Sequence, residues 1–225
     1  MFPKEVYFNR RSELKKKIDK GIYLFPGNDE SAMNYRSNTY HFRQDSSFLY
    51  FFGINQPGLA GMIDTDGEVI LYGDDLTIDD VIWMGEQPGM KELAERAGLR
   101  SSKPFSKLSE DLKSAIQQGR KVHLLPPYRG DHLMKLGSLL GVQPGEVKDF
   151  VSEPFIRAVI SLREVKDDLE IAEIEKAVDV AHIMHTTAMK MGYEGNFERE
   201  LAGAIEGIAL SHGGPVSFPV ILSMD

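Results

Sequence analysis

Apolar positions along the first 150 residues switch between short runs and helical spacing. Val6, Phe8, Leu14 and Ile18 punctuate a charged stretch and predict a helix over 6–19, with Gly21 just past its end. Ile22–Phe25 is an apolar run closed by Pro26-Gly27 and predicts a strand. Phe48–Phe52, bounded by Gly53, is strongly aromatic and reads as a buried strand. Ala60–Asp64 and Glu68–Tyr72 flank Asp66-Gly67. Both turn residues tolerate positive φ, so the segment predicts a hairpin. Helical spacing then takes over. Met90–Ala97 ends at Gly98, and Lys107–Gln118 sets Leu108, Leu112, Ala115 and Ile116 on one face before Gly119. Lys121–Leu125 predicts a strand stopped by Pro126-Pro127. Asp131–Leu140 predicts a helix capped by Asp131 and ended by Gly141. This alternation is that of an α/β domain.

The pattern changes near Ser152–Arg163. Glu164–Met191 reads as one long amphipathic helix, with Ile171, Ile174, Val178, Ala181, Ala188 and Met189 as its apolar stripe and Gly192 at its end. Asn196 is the expected cap of the next helix, in which Phe197, Leu201, Ala204, Ile205, Ile208 and Ala209 keep helical spacing. Gly213-Gly214-Pro215 stops it, and Val216–Leu222 predicts a strand. Two helices and one strand cannot bury the faces they present. The expectation is therefore a first domain over 1–155, a linker over 156–165, and the truncated start of a second domain over 166–225.

Composition narrows the function classes. The 225 residues include no cysteine, which removes disulfides, thiolate catalysis and cysteine-built zinc sites. The net charge of −8 argues against nucleic acid as a partner. Residues 1–20 carry net +4 and residues 64–95 net −9; the basic stretch reads as the wet face of a helix. Ser46–Ile63 and Gly207–Met224 are free of charge, but proline and glycine interrupt both, so no membrane span is expected. With no signal-like apolar stretch at the start, the expected location is cytoplasmic.

Candidate chemistry is sparse. His182 and His185 stand three apart in the long helix, a spacing that presents two imidazoles to one metal, but no carboxylate completes a familiar motif. They read as polar residues at a helix contact. Asp74, Asp75, Asp79 and Asp80 cluster as oxygen ligands would, yet match no calcium loop and read as a solvated turn. Gly53-Ile-Asn-Gln-Pro-Gly58 has the glycine spacing of a phosphate loop without its Lys-Ser/Thr. Trp83, the single tryptophan, reads as a core residue, with a binding role as the other reading.

The run Tyr40-His-Phe-Arg-Gln-Asp-Ser-Ser-Phe-Leu-Tyr-Phe-Phe-Gly53 resembles the N-terminal domain of the aminopeptidase P (Xaa-Pro aminopeptidase) family. Ile82-Trp83-x-Gly85 follows in the expected order. Ile160-Ser-Leu-Arg163-Glu-Val-Lys166 is similar to the family's linker, and Pro215-Val-Ser-Phe-Pro-Val-Ile-Leu222 to the opening of its pita-bread catalytic domain.

That resemblance implies a mixed-sheet α/β N-terminal domain followed by the start of an α+β metallopeptidase domain. It implies a full-length enzyme that removes the N-terminal residue from peptides with a penultimate proline. Such enzymes use two divalent ions, usually Mn²⁺, held by two Asp, one His and two Glu. All five ligands follow the strand matching Val216–Leu222, so no catalytic residue and no metal ligand is carried over. This chain alone is expected to bind no metal pair and to be inactive. Trp83 and Phe218 match family positions near substrate and are carried over as substrate-binding residues. The implied partners are proline-containing peptides and further copies of the chain. A non-catalytic binding or oligomerisation module of the same fold, or a prolidase-type dipeptidase, are the alternatives.

Overall fold

The computed structural model describes residues 1–223; the last two residues of the expected second domain, Met224 and Asp225, lie outside the described residues. The chain divides into two compact units, Met1–Val165 and Lys166–Asp225.

The first unit runs α1 (Lys4–Lys17), β1 (Ile22–Pro26), β2 (Ala32–Tyr35), β3 (Asn38–Thr39), α2 (Ser46–Phe52), β4 (Ala60–Asp64), β5 (Val69–Tyr72), α3 (Ile78–Met84), α4 (Met90–Arg96), β6 (Ser101–Lys103), α5 (Lys107–Gln117), β7 (Val122–His123), α6 (Gly130–Leu140), a 3₁₀ helix (Pro144–Phe150) and α7 (Glu153–Arg163). Five strands form a mixed sheet in the order β6-β5-β4-β1-β7. β4 pairs antiparallel with β1 and β5, while β7 and β6 add parallel edges. β2 and β3 form a separate hairpin.

Successive strand residues point to opposite faces, and both faces are covered, so the central strands are apolar throughout. Tyr23, Phe25, Ile63 and Leu71 point into one core with Leu14 of α1, Phe48, Phe51 and Phe52 of α2, Leu93 of α4 and Phe155 of α7. Ile22, Leu24, Met62, Ile70 and Tyr72 point into the other, against Leu108, Leu112, Leu136, Leu140 and Val147. The sheet is thus sandwiched between two helical layers, the mixed α/β architecture expected.

Several elements differ from expectation. Phe48–Phe52 is not a strand but the body of α2. The Asp45 carboxylate accepts from Ser47 N at 2.9 Å and Phe48 N at 2.8 Å, and Gly53 closes the helix at φ +72°. Phe48, Phe51 and Phe52 fall at i, i+3 and i+4, so a helix buries all three on one side and turns Leu49 outward. α7 begins at Glu153, and the segment expected to link the two parts falls within and just after it. Its Ala158 and Val159 are buried in the first core. Asp131 is not the cap of α6, which starts one residue earlier; its carboxylate accepts from His132 N and pairs with Arg129.

The second unit holds α8 (Asp168–Met191) and α9 (Glu198–Ser211). The helix expected over 164–191 starts at Asp168, where Asp167 accepts from Glu170 N and Glu170 accepts from Asp167 N. Asn196 does not cap α9; its Nδ2 donates to Met191 O, and Phe197 occupies the cap position. Val216–Leu222 pairs with no described strand and runs irregular. A strand needs a ladder partner for its backbone groups, and none lies alongside it among the described residues. No helix among the described residues is long and apolar enough to cross a membrane.

Candidate functional site

The most exposed apolar surface of the first unit is built on the acidic segment after β5. Gly73 packs so tightly on Leu59 and Met90 that a Cβ there would meet Leu59 Cδ2 at 2.4 Å. Asp74 Oδ1 then accepts from Phe105 N at 3.1 Å, and Asp75 Oδ1 from Met90 N at 2.6 Å. These bonds fix both ends of a loop whose middle is α3. Thr77 and Asp80 close a capping box, with Asp80 N donating to Thr77 Oγ1 and Thr77 N to Asp80 Oδ2. Thr77 Oγ1 also donates to Asp80 Oδ2 at 2.7 Å, and this bond, then that from Thr77 N, holds the Asp80 carboxyl below its ordinary pKa. The aspartate cluster therefore serves turns and a helix start, as the solvated-turn reading holds.

α3 is two turns long, too short to persist on helix propensity alone. It nevertheless presents apolar side chains to solvent. Ile78, Ile82 and Trp83 are 82%, 71% and 87% exposed, and Met84 is exposed beside them. The core reading of Trp83 is overturned by this exposure. Single exposed apolar residues are ordinary, but adjacent ones on one short element mark a contact surface. Ile78, Ile82, Trp83 and Met84 offer apolar area and no titratable group.

Phe218 belongs to the second unit, in the irregular stretch after α9, and is exposed. Trp83 and Phe218 thus stand in different units. His182 and His185 are both exposed on α8, and His182 O accepts from Thr186 Oγ1. Among the described residues, no group of three or more His, Cys, Asp or Glu is placed to hold a metal ion. Gly53 and Gly58 serve backbone geometry, each at positive φ. A Cβ at Gly53 would lie 2.2 Å from the Tyr7 ring.

The Tyr40–Gly53 run carries buried groups that sequence reasoning missed. Gln44 Oε1 accepts from Asn28 N and Asp45 N, both at 2.8 Å, and its Nε2 donates to Gln56 O. Asn28 Nδ2 donates to Arg43 O at 2.6 Å. Tyr50 Oη donates to Leu162 O, and its ring lies under the Arg10 guanidinium at 4.0 Å. α3 also escaped prediction, although Thr77-Ile-Asp-Asp80 spells a capping signal.

A mixed five-stranded sheet between helical layers, an aromatic capped α2 and an α3 that turns its tryptophan outward define an α/β scaffold with an exposed apolar patch. The family model "Aminopeptidase P, N-terminal domain" matches residues 7–124, just over half the chain. The chain belongs to that family, as the N-terminal part of the Xaa-Pro aminopeptidase and dipeptidase group. It is 27% identical over 206 residues to a probable Xaa-Pro aminopeptidase of Chaetomium globosum, covering 90% of this chain and 33% of that protein. It is 25% identical over 223 residues to the Xaa-Pro aminopeptidase of Escherichia coli K12, covering 93% and 50%. The solved structure of proline aminopeptidase P II from Yersinia pestis shares the fold, with a TM-score of 0.75 at 22% identity over 94% of this chain and 51% of that one. The chain spans a third to a half of the length of these curated relatives.

Proposed function

We propose that this chain is the N-terminal part of a Xaa-Pro aminopeptidase, which removes the first residue of peptides with a penultimate proline. The observation that carries this reading is the family match across the sheet and α2, continued by relatives whose similarity runs through both units. In this reading residues 1–155 form the N-terminal domain, and residues 166–225 open the catalytic one. Hydrolysis in the full-length protein, whose location is taken as cytoplasmic, uses two divalent ions, with Mn²⁺ as the expected metal. The residues described here do not fit such a pair, since they bring no three His, Asp or Glu together, and no step is derived through it.

The role left to this chain is to shape access and to assemble copies. Trp83, on an anchored loop and almost wholly exposed, is the proposed anchor that meets substrate or a neighbouring copy. Phe218 is the proposed second substrate contact. The exposure of Ile78, Ile82 and Trp83 also supports a second reading, a non-catalytic oligomerisation module of the same fold.

Two measurements test this. The pure 225-residue chain with Mn²⁺ is expected to release nothing from Xaa-Pro peptides; release would overturn the assignment of catalysis to residues outside it. In sedimentation velocity, self-association of the chain is expected and should fall in Trp83→Ala, while its stability to urea stays within about 0.5 kcal/mol of the parent. Unchanged association would remove Trp83 from the interface.

A further inference from the structure

Glycine follows an aspartate or asparagine at one place in the chain, Asp66-Gly67, in the turn that joins β4 to β5. The turn folds back over a neighbouring carboxylate, since Asp66 N donates to Asp64 Oδ1 at 2.9 Å. That carboxylate is held in place by Arg120, whose Nη1 donates to Asp64 Oδ2 at 3.3 Å and whose Nη2 donates to Asp64 Oδ1 at 2.5 Å. A Cβ on residue 67 would meet Asp64 Oδ2 at 2.9 Å, so the position suits glycine. The fold thus sets a residue without a side chain directly after an aspartate.

Asp66 itself is loosely held. Asp66, Gly67 and Glu68 are all exposed. The Asp66 carboxylate lies 3.4 Å from Lys20 Nζ and 3.6 Å from Arg120 Nη2, ion pairs too long to be hydrogen bonds and weak at an exposed site. Gly67 N donates to Asp64 O at 3.4 Å, past the usual range of about 2.7–3.2 Å. An unhindered backbone nitrogen therefore stands next to a side-chain carboxyl that nothing pins, in reach of water. Asp45-Ser46, where an aspartate also precedes a small residue, is the contrast. The Asp45 carboxylate is taken up by Ser47 N and Phe48 N at the start of α2.

We propose that Asp66 is a modification site, at which the folded chain forms isoaspartate without an enzyme. Gly67 N attacks Asp66 Cγ and a new N–Cγ bond closes a five-membered succinimide. The Cγ–OH bond breaks, and the hydroxyl leaves with the Gly67 amide proton as one water. Hydrolysis returns one water to the ring. Where it breaks the bond from nitrogen to the Asp66 main-chain carbon, the chain runs on through Cγ and that carbon becomes a free carboxylate. The composition is unchanged, and no oxidant or cofactor enters. The turn gains one backbone atom at the point where β4 and β5 close, with Asp64 N donating to Glu68 O at 3.1 Å. It is also where α1 reaches over the sheet edge, through Lys15 Nζ donating to Gly67 O at 3.0 Å.

The test is to hold the intact, folded 225-residue chain at neutral pH and sample it over weeks. Each sample is treated with an isoaspartate methyltransferase and labelled S-adenosylmethionine, and the acceptor peptide is located by electron-transfer fragmentation. Label is expected to rise with time in the peptide that holds Asp66, preceded by a species lighter by one water. Asp66→Glu keeps the charge but needs a six-membered ring, so it should lose the label to background. Gly67→Ala puts a methyl group beside the attacking nitrogen and should lose most of it. Label that forms only in chain unfolded by guanidinium chloride, label concentrated in other peptides, or label undiminished in Asp66→Glu would each overturn the proposal.

Discussion

Arg11→Met removes a buried cation and keeps most of its bulk. Arg11 is 2% exposed on the inner face of α1 and has no carboxylate partner among the described residues. Its Nη1 donates to Phe51 O at 2.6 Å, and its Nη2 donates to Ala97 O at 2.6 Å and Gly98 O at 3.2 Å. These carbonyls end α2 and α4, where helix dipoles concentrate negative charge, so one guanidinium fastens three helices. Burial pushes its pKa down to about 10, which still leaves it charged at neutral pH. Two effects compete in the variant. Three acceptors lose charged donors, worth about 1.5–3 kcal/mol each in the parent, and the two short bonds dominate. Against this, desolvating the cation costs several kcal/mol that methionine avoids. The loss wins because backbone carbonyls, unlike a carboxylate partner, cannot be replaced along with the arginine. The net expectation is about 2–4 kcal/mol of lost stability for Arg11→Met, out of the 5–15 kcal/mol that domains typically have.

Urea unfolding followed by far-UV circular dichroism reads this directly; Trp83 fluorescence would not, since that side chain is already solvated. With a slope of about 2 kcal/mol per molar, the midpoint should fall by about 1–2 M. Arg11→Ala should fall further, because it adds a cavity beside Phe52, whose ring lies 5.4 Å from the guanidinium carbon. Arg11→Lys should recover only part of the loss, as a point charge cannot span the ends of both helices. A midpoint for Arg11→Met within about 0.2 M of the parent would refute the fastening role.

Gly61→Ala should cost about 1–3 kcal/mol by thermal unfolding, because its Cβ would stand 2.1 Å from Cζ of the fully buried Phe52; Gly145→Ala, in open space, should be near neutral. Burial, and then Lys121, hold the His123 pKa below 6.5 against the pull of Asp19, so the fold accepts the neutral ring and the unfolded chain takes the proton first. Stability from this group is therefore present above about pH 6.5 and lost as pH falls below it; the urea midpoint should drop between pH 7.5 and 5, and less so in His123→Phe, which keeps the 4.5 Å stack on Tyr23. Equal pH slopes in parent and variant would count against it.

The core strands were readable because covering a sheet on both faces leaves an unbroken apolar run, and Ile22–Phe25 and the Asp66-Gly67 hairpin are such cases. Phe48–Phe52 defeats the same rule. Five apolar residues in a row carry no period, so composition favours a strand, and only the flanks decide. Asp45 and Ser46 before the run and a left-handed Gly53 after it are helix punctuation, and the capping hydrogen bonds they supply outweigh the strand preference of aromatic residues. The helix over Glu153–Arg163 went unread for another reason: the stretch was expected to link two domains over 156–165, and the helical spacing of Phe155, Ala158 and Val159 shows as a buried face only once the first core is in place.

The exposed α3 patch was legible in residue identity and not in exposure. Trp83 stood out by being alone, but a lone tryptophan is usually core, and the sequence near it supplies no polar partner that would argue otherwise. Asp74, Asp75, Thr77 and Asp80 spend their side chains holding the loop, and no residue of α3 is buried. The acidic residues that resembled a cation site hold the ends of the loop on which the tryptophan is displayed. The basic groups near Tyr40 show the converse. Arg43 sits inside the most recognisable run in the chain, yet it lines a small cleft whose walls include Ser31 and Arg129, drawn from segments that carry no motif. Local sequence reports on caps and periods; clefts assembled from separate loops become visible only when the sheet order brings those loops together.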